Sequence, residues 1–373
     1  MGKFGKKNEV KLDPLSYNIA LLGESGIGKS TIIKEVCEKI AGPDGYIALD
    51  LGKEDGHSSI NGIVTEQVYD WAKLNEVIDD IIENKATDYP NLRVVVFDTY
   101  DELCLLAEQE AIRLWNIKNT DKKAASINAA WGGFGKGLDK TIELMLNRIW
   151  DLKKVGVSFI LIGHTKKKDI DDVVTEEQYS VLTSNISQKY FNAIKTKLHF
   201  CGLAYIDREI VKEKTSKKDK DGNPIYKGKV ARESRVINFR DDTYSVDSKS
   251  RFAEIVDRIP FDADEFIKAM TNAIEAEAKK GGGSLSDMRE KQQEEAKKRE
   301  SEFDEYSKNY RKNIVDEDKN AILIDKIRDV FFSADDSVKD AVKEIMVEYN
   351  IPNFRSTDIS TEGLEKIVKK LTA

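Results

Sequence analysis

The sequence predicts an α/β core on a mostly parallel sheet, followed by a β-hairpin and a small all-α domain. Three observations predict it. From residue 17 to about 210, strand-like apolar runs alternate with helix-period segments, the pattern of a parallel sheet with crossover helices. Within LRVVVFD, Val94 to Phe97 form a continuous apolar run, as in a strand buried on both faces. In YNIALLGESGIGKSTIIKEV, residues 17–36, a glycine-rich loop stands between a strand and a helix.

Taken in order, residues 1–16 form a basic N-terminal extension. No apolar segment follows it, so it reads as no signal peptide, and Lys6 breaks the myristoylation pattern. The core spans 17–279. YNIALL is a strand ending at Gly23, STIIKEVCEKI a helix ended by AGPDG, and YIALDL and LRVVVFD are the next two strands. Leu138, Ile142, Met145, Ile149 and Leu152 recur at helical spacing and Gly156 stops that helix. VSFILIG is the fourth strand. KLHFCGLAYIDREIVKEK and YKGKVARESRVINFR then read as the arms of a long hairpin, with Asp221, Gly222 and Pro224 as its turn residues. Asp262 caps the helix that follows, and GGGS at 281–284 breaks it. Residues 280–317 are a charged linker or solvated helix. The helical domain, 318–373, has Val338, Val342, Ile345, Met346 and Tyr349 on one helix face. Leu364, Ile367, Val368 and Leu371 mark another, N-capped by Ser360 or Thr361.

Length supports one large domain and a smaller one. The net charge of -7 excludes an overall basic coat for nucleic acid but leaves room for local basic patches. Cys37, Cys104 and Cys201 are scattered without a C-x-x-C pair, which reads as buried, reduced thiols in a cytoplasmic protein. No apolar run approaches the ~20 residues that span a bilayer, so no membrane is expected.

The chemistry begins at G-x-x-x-x-G-K-S, Gly23 to Ser30. Such a loop turns backbone N–H groups onto phosphates, and the following helix adds its positive dipole end. Gly23, Glu24, Ser25, Gly26, Ile27, Gly28, Lys29, Ser30 and Thr31 are the expected nucleotide-binding residues. Lys29 reaches the β/γ-phosphates, and the Ser30 hydroxyl ligates Mg²⁺. Asp98, at the end of a buried strand, holds Mg²⁺ through water. The expected ligands are therefore ATP and Mg²⁺. Glu54 is the first candidate to orient the attacking water and Glu102 the second. His164 and Thr165, at the fourth strand's end, are placed to touch the γ-phosphate. His57 and His199 have no partner pattern, and no metal site beyond Mg²⁺ is read.

Two lysine-rich stretches suit a nucleic-acid backbone. One is Lys166, Lys167 and Lys168. The other is the hairpin tip with Lys212, Lys214, Lys217, Lys218 and Lys220, and with Lys227 and Lys229 on the returning arm. Tyr179, Tyr190 and Phe191 follow the first and are candidates to stack on a base.

Together GESGIGKST, KEDGHSSI, VVVFDTYDEL, WGGFGKG, LKKVGVSFILIGHTKKK and SRVINFR resemble the RecA-like ATPases, especially the small phage-encoded ones of recombination modules. The resemblance covers about residues 12–275. It implies a RecA-like P-loop core and catalytic roles for Lys29, Glu54, Asp98 and His164, with Glu54 of Glu54-Asp55-Gly56 as the base. Asp50-Leu51-Gly52 departs from RecA, which carries the acid directly at the strand end. SKSRF is similar to a Lys-x-Arg finger inserted into a neighbour's site, here Lys249 and Arg251, which implies a ring or filament of like subunits. Lys166–Lys168 stand where RecA-like proteins carry a DNA-binding loop. The final helices resemble tails of phage DNA-annealing proteins and imply a recombination or replication protein as partner, in the host cytoplasm. The expected function is an Mg-dependent ATPase acting on single-stranded DNA. The alternative is a nucleotide-gated switch or adaptor, slow in turnover, whose tail docks a protein. A small-molecule kinase would want an arginine-rich lid, which the expected loops lack.

Overall fold

The computed structural model describes residues 8–53, 55–171, 177–218, 220, 222, 224–240 and 247–372. The basic start through Lys7, the loop acid Glu54 and the hairpin-tip Asp221 lie outside the described residues. The strands are β1 (Ile19–Gly23), β2 (Tyr46–Leu51), β3 (Thr65–Val68), β4 (Val94–Asp98), β5 (Ser158–Asp171), β6 (Gln178–Ser184), β7 (Phe200–Lys218), β8 (Pro224–Asn238), β9 (Lys249–Ser250) and β10 (Arg258–Pro260). The helices are α1 (Lys29–Ala41), α2 (Trp71–Glu83), α3 (Tyr100–Lys118), α4 (Lys136–Lys154), α5 (Gln188–Lys195), α6 (Ala263–Lys280), α7 (Leu285–Lys308), α8 (Tyr310–Asn313), α9 (Glu317–Phe331), α10 (Asp336–Glu348) and α11 (Thr361–Thr372). The chain divides into two compact units. One holds the chain through Tyr69, Asn91–Leu103 and Val157–Glu295; the other holds Asp70–Pro90, Cys104–Gly156 and the chain from Ala296 onward.

All the strands named above belong to the first unit. They form one sheet in the order β10-β8-β7-β1-β5-β4-β2-β3, with β6 on β5 and β9 on β7. From β7 to β3 every neighbouring pair is parallel, while β8 and β10 run antiparallel at the far edge. The central strands β1 and β4 are buried at every position, as their continuous apolar runs require. On one side Ile19, Leu21, Val96, Ile160 and Ile162 pack with Ile32, Ile33 and Val36 of α1 and with Phe266, Met270 and Ile274 of α6. Each such side chain contributes roughly 1.5–3 kcal/mol on burial. The parallel register brings Gly23 opposite His164 and Asp98 opposite Asp50, so the carboxyl ends of β1, β5, β4 and β2 share one edge. That edge is where ligands bind in open α/β sheets.

Two stretches differ from the sequence reading. β5 does not stop at Gly163. It continues to Asp171 because β6 supplies a partner for its backbone, with Lys166 opposite Thr183 and Lys168 opposite Val181. Lys166, Lys167 and Lys168 are therefore strand residues, not a loop beyond the strand. Between Gly52 and Leu92 the sequence reading proposes no element, yet β3 adds a sixth parallel strand and α2 buries Trp71, Leu74, Ile78, Ile81 and Ile82.

The second unit is helical. Arg148 of α4 is its main polar tie. The guanidinium donates to Asp79 of α2 at 2.5 Å, to Asp151 at 3.0 Å and to the Tyr310 hydroxyl at 2.8 Å. Burial works against its charge, but Tyr310, Asp79 and Asp151 around it outweigh that and hold its pKa above the ordinary arginine value. Farther along, Ile324, Ile327, Val342, Leu364 and Ile367 bring α9, α10 and α11 around a small core. Ser360 is the residue that caps α11: its hydroxyl accepts from the Gly363 N–H at 3.2 Å. Among the described residues no helix is long and apolar enough to cross a membrane.

The loop from α3 to α4 carries backbone strain. Trp131 and Phe134 sit at φ 58° and 51°, a region that side chains with a Cβ avoid, and the Phe134 ring is fully exposed. Phe134→Asn, which tolerates that region, is expected to stabilise the protein by about 1 kcal/mol in urea unfolding. A loss of stability would show that the ring has a packing role.

Candidate functional site

The loop between β1 and α1 is shaped by its backbone. Gly26 and Gly28 adopt φ of +77° and +104°, left-handed conformations that turn successive peptide groups inward. No side chain caps α1, so its first amides face the loop's concavity. Ser25, Gly26 and Thr31 are exposed, Glu24 and Gly28 half-buried, and Gly23 and Ile27 buried. Lys29 is 6% exposed, and its ammonium donates to the carbonyls of Gly23 at 3.2 Å and Glu24 at 3.0 Å. These two carbonyl oxygens are neutral, and phosphate oxygens outcompete them by charge. From β8, the Arg235 guanidinium braces the loop, donating to the Ile27 carbonyl at 3.0 Å and lying 5.5 Å from the Phe261 ring centre.

Asp98 meets this loop. The Ser30 hydroxyl donates to Asp98 Oδ2 at 2.5 Å. The same oxygen lies 2.9 Å from Nε2 of His57, which is itself 4% exposed. Nδ1 of His57 is 2.6 Å from the Thr65 hydroxyl, whose own hydrogen goes to the Ala48 carbonyl at 3.0 Å. That commits Nδ1 to donate to Thr65. His57, which shows no partner pattern in the sequence, thus joins β3 to the acid at the end of β4. The peptide bond after Asp98 is cis.

Beside Asp98 sits a second acid–histidine pair. Asp101 Oδ2 accepts the His164 backbone N–H at 2.9 Å and lies 3.8 Å from the ring Nδ1. Asp101 Oδ1 and the Thr165 hydroxyl are buried there without a hydrogen-bond partner among the described residues. Glu102 occupies the mouth of the loop after β2. Gly52 is at φ +70°, and a side chain built on it would collide with the Glu102 carboxylate. Glu54, two residues farther on, lies outside the described residues.

The residues fit a magnesium nucleotide. A turned glycine loop, an uncapped helix start and a buried ammonium suit phosphates. Mg²⁺ takes one or two protein oxygens and completes its shell with phosphate and water; Ser30 Oγ would supply one, and Asp98 beside it would hold the metal through water. The orphaned oxygens of Asp101 and Thr165 suit a further polar group at the same edge.

Other predicted residues are placed elsewhere. Lys249 donates to the Lys195 carbonyl at 2.7 Å, at the end of α5, and Arg251 donates to the carbonyls of Leu198 and Thr196 just after it. Burial and the nearby charges of Arg251 and Lys195 lower the Lys249 pKa. Lys166 donates to the Asn185 carbonyl at 3.0 Å, Lys167 lies 3.8 Å from Asp169, and Lys168 is exposed. Tyr179 is 41% exposed, but Tyr190 and Phe191 are 6% and 1% exposed. Those two rings belong to the core face of α5 and are closed to stacking. Lys217 and Lys218 end β7, and Lys220 is exposed in the turn. Cys37, Cys104 and Cys201 are all buried free thiols, and burial pushes Cys201 up to about 12.

Sequence reasoning missed His57, Thr65 and Arg235. The one available signal for His57 was its place, three residues beyond Glu54 in the segment after β2.

Comparison with curated proteins finds no match. A family model described as an AAA domain matches residues 15–252, well over half of the 373 residues. The matched span contains the phosphate loop, Asp98 and both acid–histidine pairs. The chain belongs to the AAA-domain family, a family of P-loop ATPases.

Proposed function

We propose that this protein is an Mg-dependent, RecA-like ATPase that acts on single-stranded DNA in recombination, repair or replication of the phage type. The observation that carries the ATPase reading is the convergence of Lys29, Ser30 and Asp98 at the carboxyl edge of β1 and β4. When bound, Mg²⁺ would supply charge neutralisation to the phosphates, held on the side of Ser30 and Asp98. Lys29 exchanges its two carbonyl partners for phosphate oxygens and holds them against the loop amides. Ser30 and Asp98 keep the metal side of the pocket in place. Glu54 orients and deprotonates the attacking water, Glu102 is the second candidate for that role, and His164 responds to the γ-phosphate. Lys249 and Arg251 serve a neighbouring subunit's site once they leave their own carbonyls.

The DNA reading is supported by the ribbon of β7 and β8. Ile210, Lys212 and Lys214 share one face with Val230, Gly228 and Tyr226, opposite them in register. That stretch of the face carries two lysines, an exposed tyrosine and no acid. Cations beside an aromatic ring suit an unpaired strand.

ATP turnover measured with and without single-stranded DNA tests the proposal. Turnover is expected to require Mg²⁺ and to rise with DNA. The double variant Lys212→Glu, Lys214→Glu is expected to lose roughly tenfold or more in DNA affinity, with a shallower salt slope and unchanged DNA-free turnover. If DNA neither binds in a salt-dependent way nor alters turnover, the DNA reading falls and the partner-docking switch replaces it.

A further inference from the structure

We propose that His57 is a positioning residue for the metal carboxylate, holding Asp98 in the orientation that presents Oδ2 to Ser30. The inference rests on the reading of Ser30 and Asp98 as the metal side of the site.

A carboxylate at a strand end turns about two side-chain bonds, and its value as a ligand depends on what stops that turning. Here two groups meet at one oxygen: the Ser30 hydroxyl at 2.5 Å and His57 Nε2 at 2.9 Å. Ser30 stands in the first turn of α1, where the phosphate loop ends. His57 is anchored to something else. Its ring is buried, and the line Asp98–His57–Thr65 ends on the backbone carbonyl of Ala48 in β2. The acid is thus referenced to the sheet, not only to the loop that the nucleotide occupies. β2 and β4 are direct neighbours, so the brace is short and stiff.

The same ring has a second attachment. It belongs to the short helical turn Gly56–Ser59, in the segment that follows β2 and carries Glu54 in sequence. Its hold on Asp98 therefore ties that segment to the metal side of the site. Partners that orient a metal ligand from behind are worth about 10–100-fold in metal affinity or activity.

The test is nucleotide binding by the full-length protein, read with a fluorescent non-hydrolysable ATP analogue at rising Mg²⁺, from chelator upward. His57→Ala is expected to raise the Mg²⁺ concentration at half-effect by roughly 10–100-fold while leaving chelator-only affinity within about twofold. His57→Gln, whose amide can still donate to Asp98, is expected to recover much of the shift. Mn²⁺ binding followed by electron paramagnetic resonance in the presence of the analogue should move in parallel. Thermal melts identify folded variants, and if alanine does not fold, glutamine against leucine makes the same comparison. An unshifted Mg²⁺ titration in a folded variant overturns the inference. So does an equal loss of affinity with and without metal, which marks a general structural role. If the wild type shows no Mg²⁺ dependence at all, the reading of Ser30 and Asp98 fails, a distinct outcome.

Discussion

Lys29→Ala is expected to lower ATP turnover by roughly 10²–10³-fold, the usual cost of removing one group aimed at developing charge. The ammonium is the one cation of the phosphate-loop motif, and the loop is built around it. It is nearly buried, and in the free protein it spans two carbonyls of the loop itself. Nucleotide affinity should fall as well, because the charge meets phosphate in the ground state. Lys29→Arg should not rescue, since a planar fork cannot replace a compact ammonium inside a closed loop. The substitution leaves the Gly23 and Glu24 carbonyls short of a donor, a cost of about 1–3 kcal/mol. Turnover must therefore be compared at a temperature where melting shows both proteins folded. Activity within tenfold of wild type would remove Lys29 from the chemistry.

Asp247→Ala is expected to be the most destabilising single change in the sheet unit, by about 3–5 kcal/mol. Asp247 is 2% exposed and accepts from the Thr183 hydroxyl at 2.6 Å, the Ser184 N–H at 2.7 Å and the Lys195 ammonium at 3.0 Å. One carboxylate thus ties the end of β6 to the end of α5. Removing it takes a shared acceptor from three buried or half-buried donors, one of them charged. Calorimetry should show the melting temperature falling by roughly 6–15 °C. Asp247→Asn should lose about half as much, because one oxygen still accepts. A change below about 1 kcal/mol would mean that water replaces the carboxylate without cost.

How far the sequence reaches is clearest from particular residues. Val94 to Phe97 announced a strand buried on both faces, and the spacing of Leu138 to Leu152 announced α4, because burial imposes period and composition. Gly23 to Ser30 announced the phosphate loop for a similar reason: its backbone needs glycine at Gly26 and Gly28. β3 escaped because TEQV has no apolar alternation; it is held to β2 by backbone pairing and by Thr65 and Gln67 side chains that donate to β2 carbonyls. The length of β5 escaped because KKKDID is charged, as a strand open to water can be. His57 escaped for a different reason. Its partners, Thr65 and Asp98, are 8 and 41 residues away, and only the fold brings them together. Asp247 is silent in the sequence on the same account. Pattern reports what a residue's neighbours along the chain require, and these residues answer to neighbours across it.

β5 has one mechanical consequence. Its first half is clamped between β1 and β4 at the nucleotide edge, and among the described residues its second half pairs with β6 alone. No hinge interrupts it. It is a cantilever with its root at His164 and a lysine-bearing arm beyond. From His164 to Asp171 that arm is about 23 Å long at ~3.3 Å per residue, so a 10° tilt at the root would sweep its tip through roughly 4 Å. Lost contacts around His164 would then be felt at Lys166, Lys167 and Lys168 as leverage, with no change of conformation along the way.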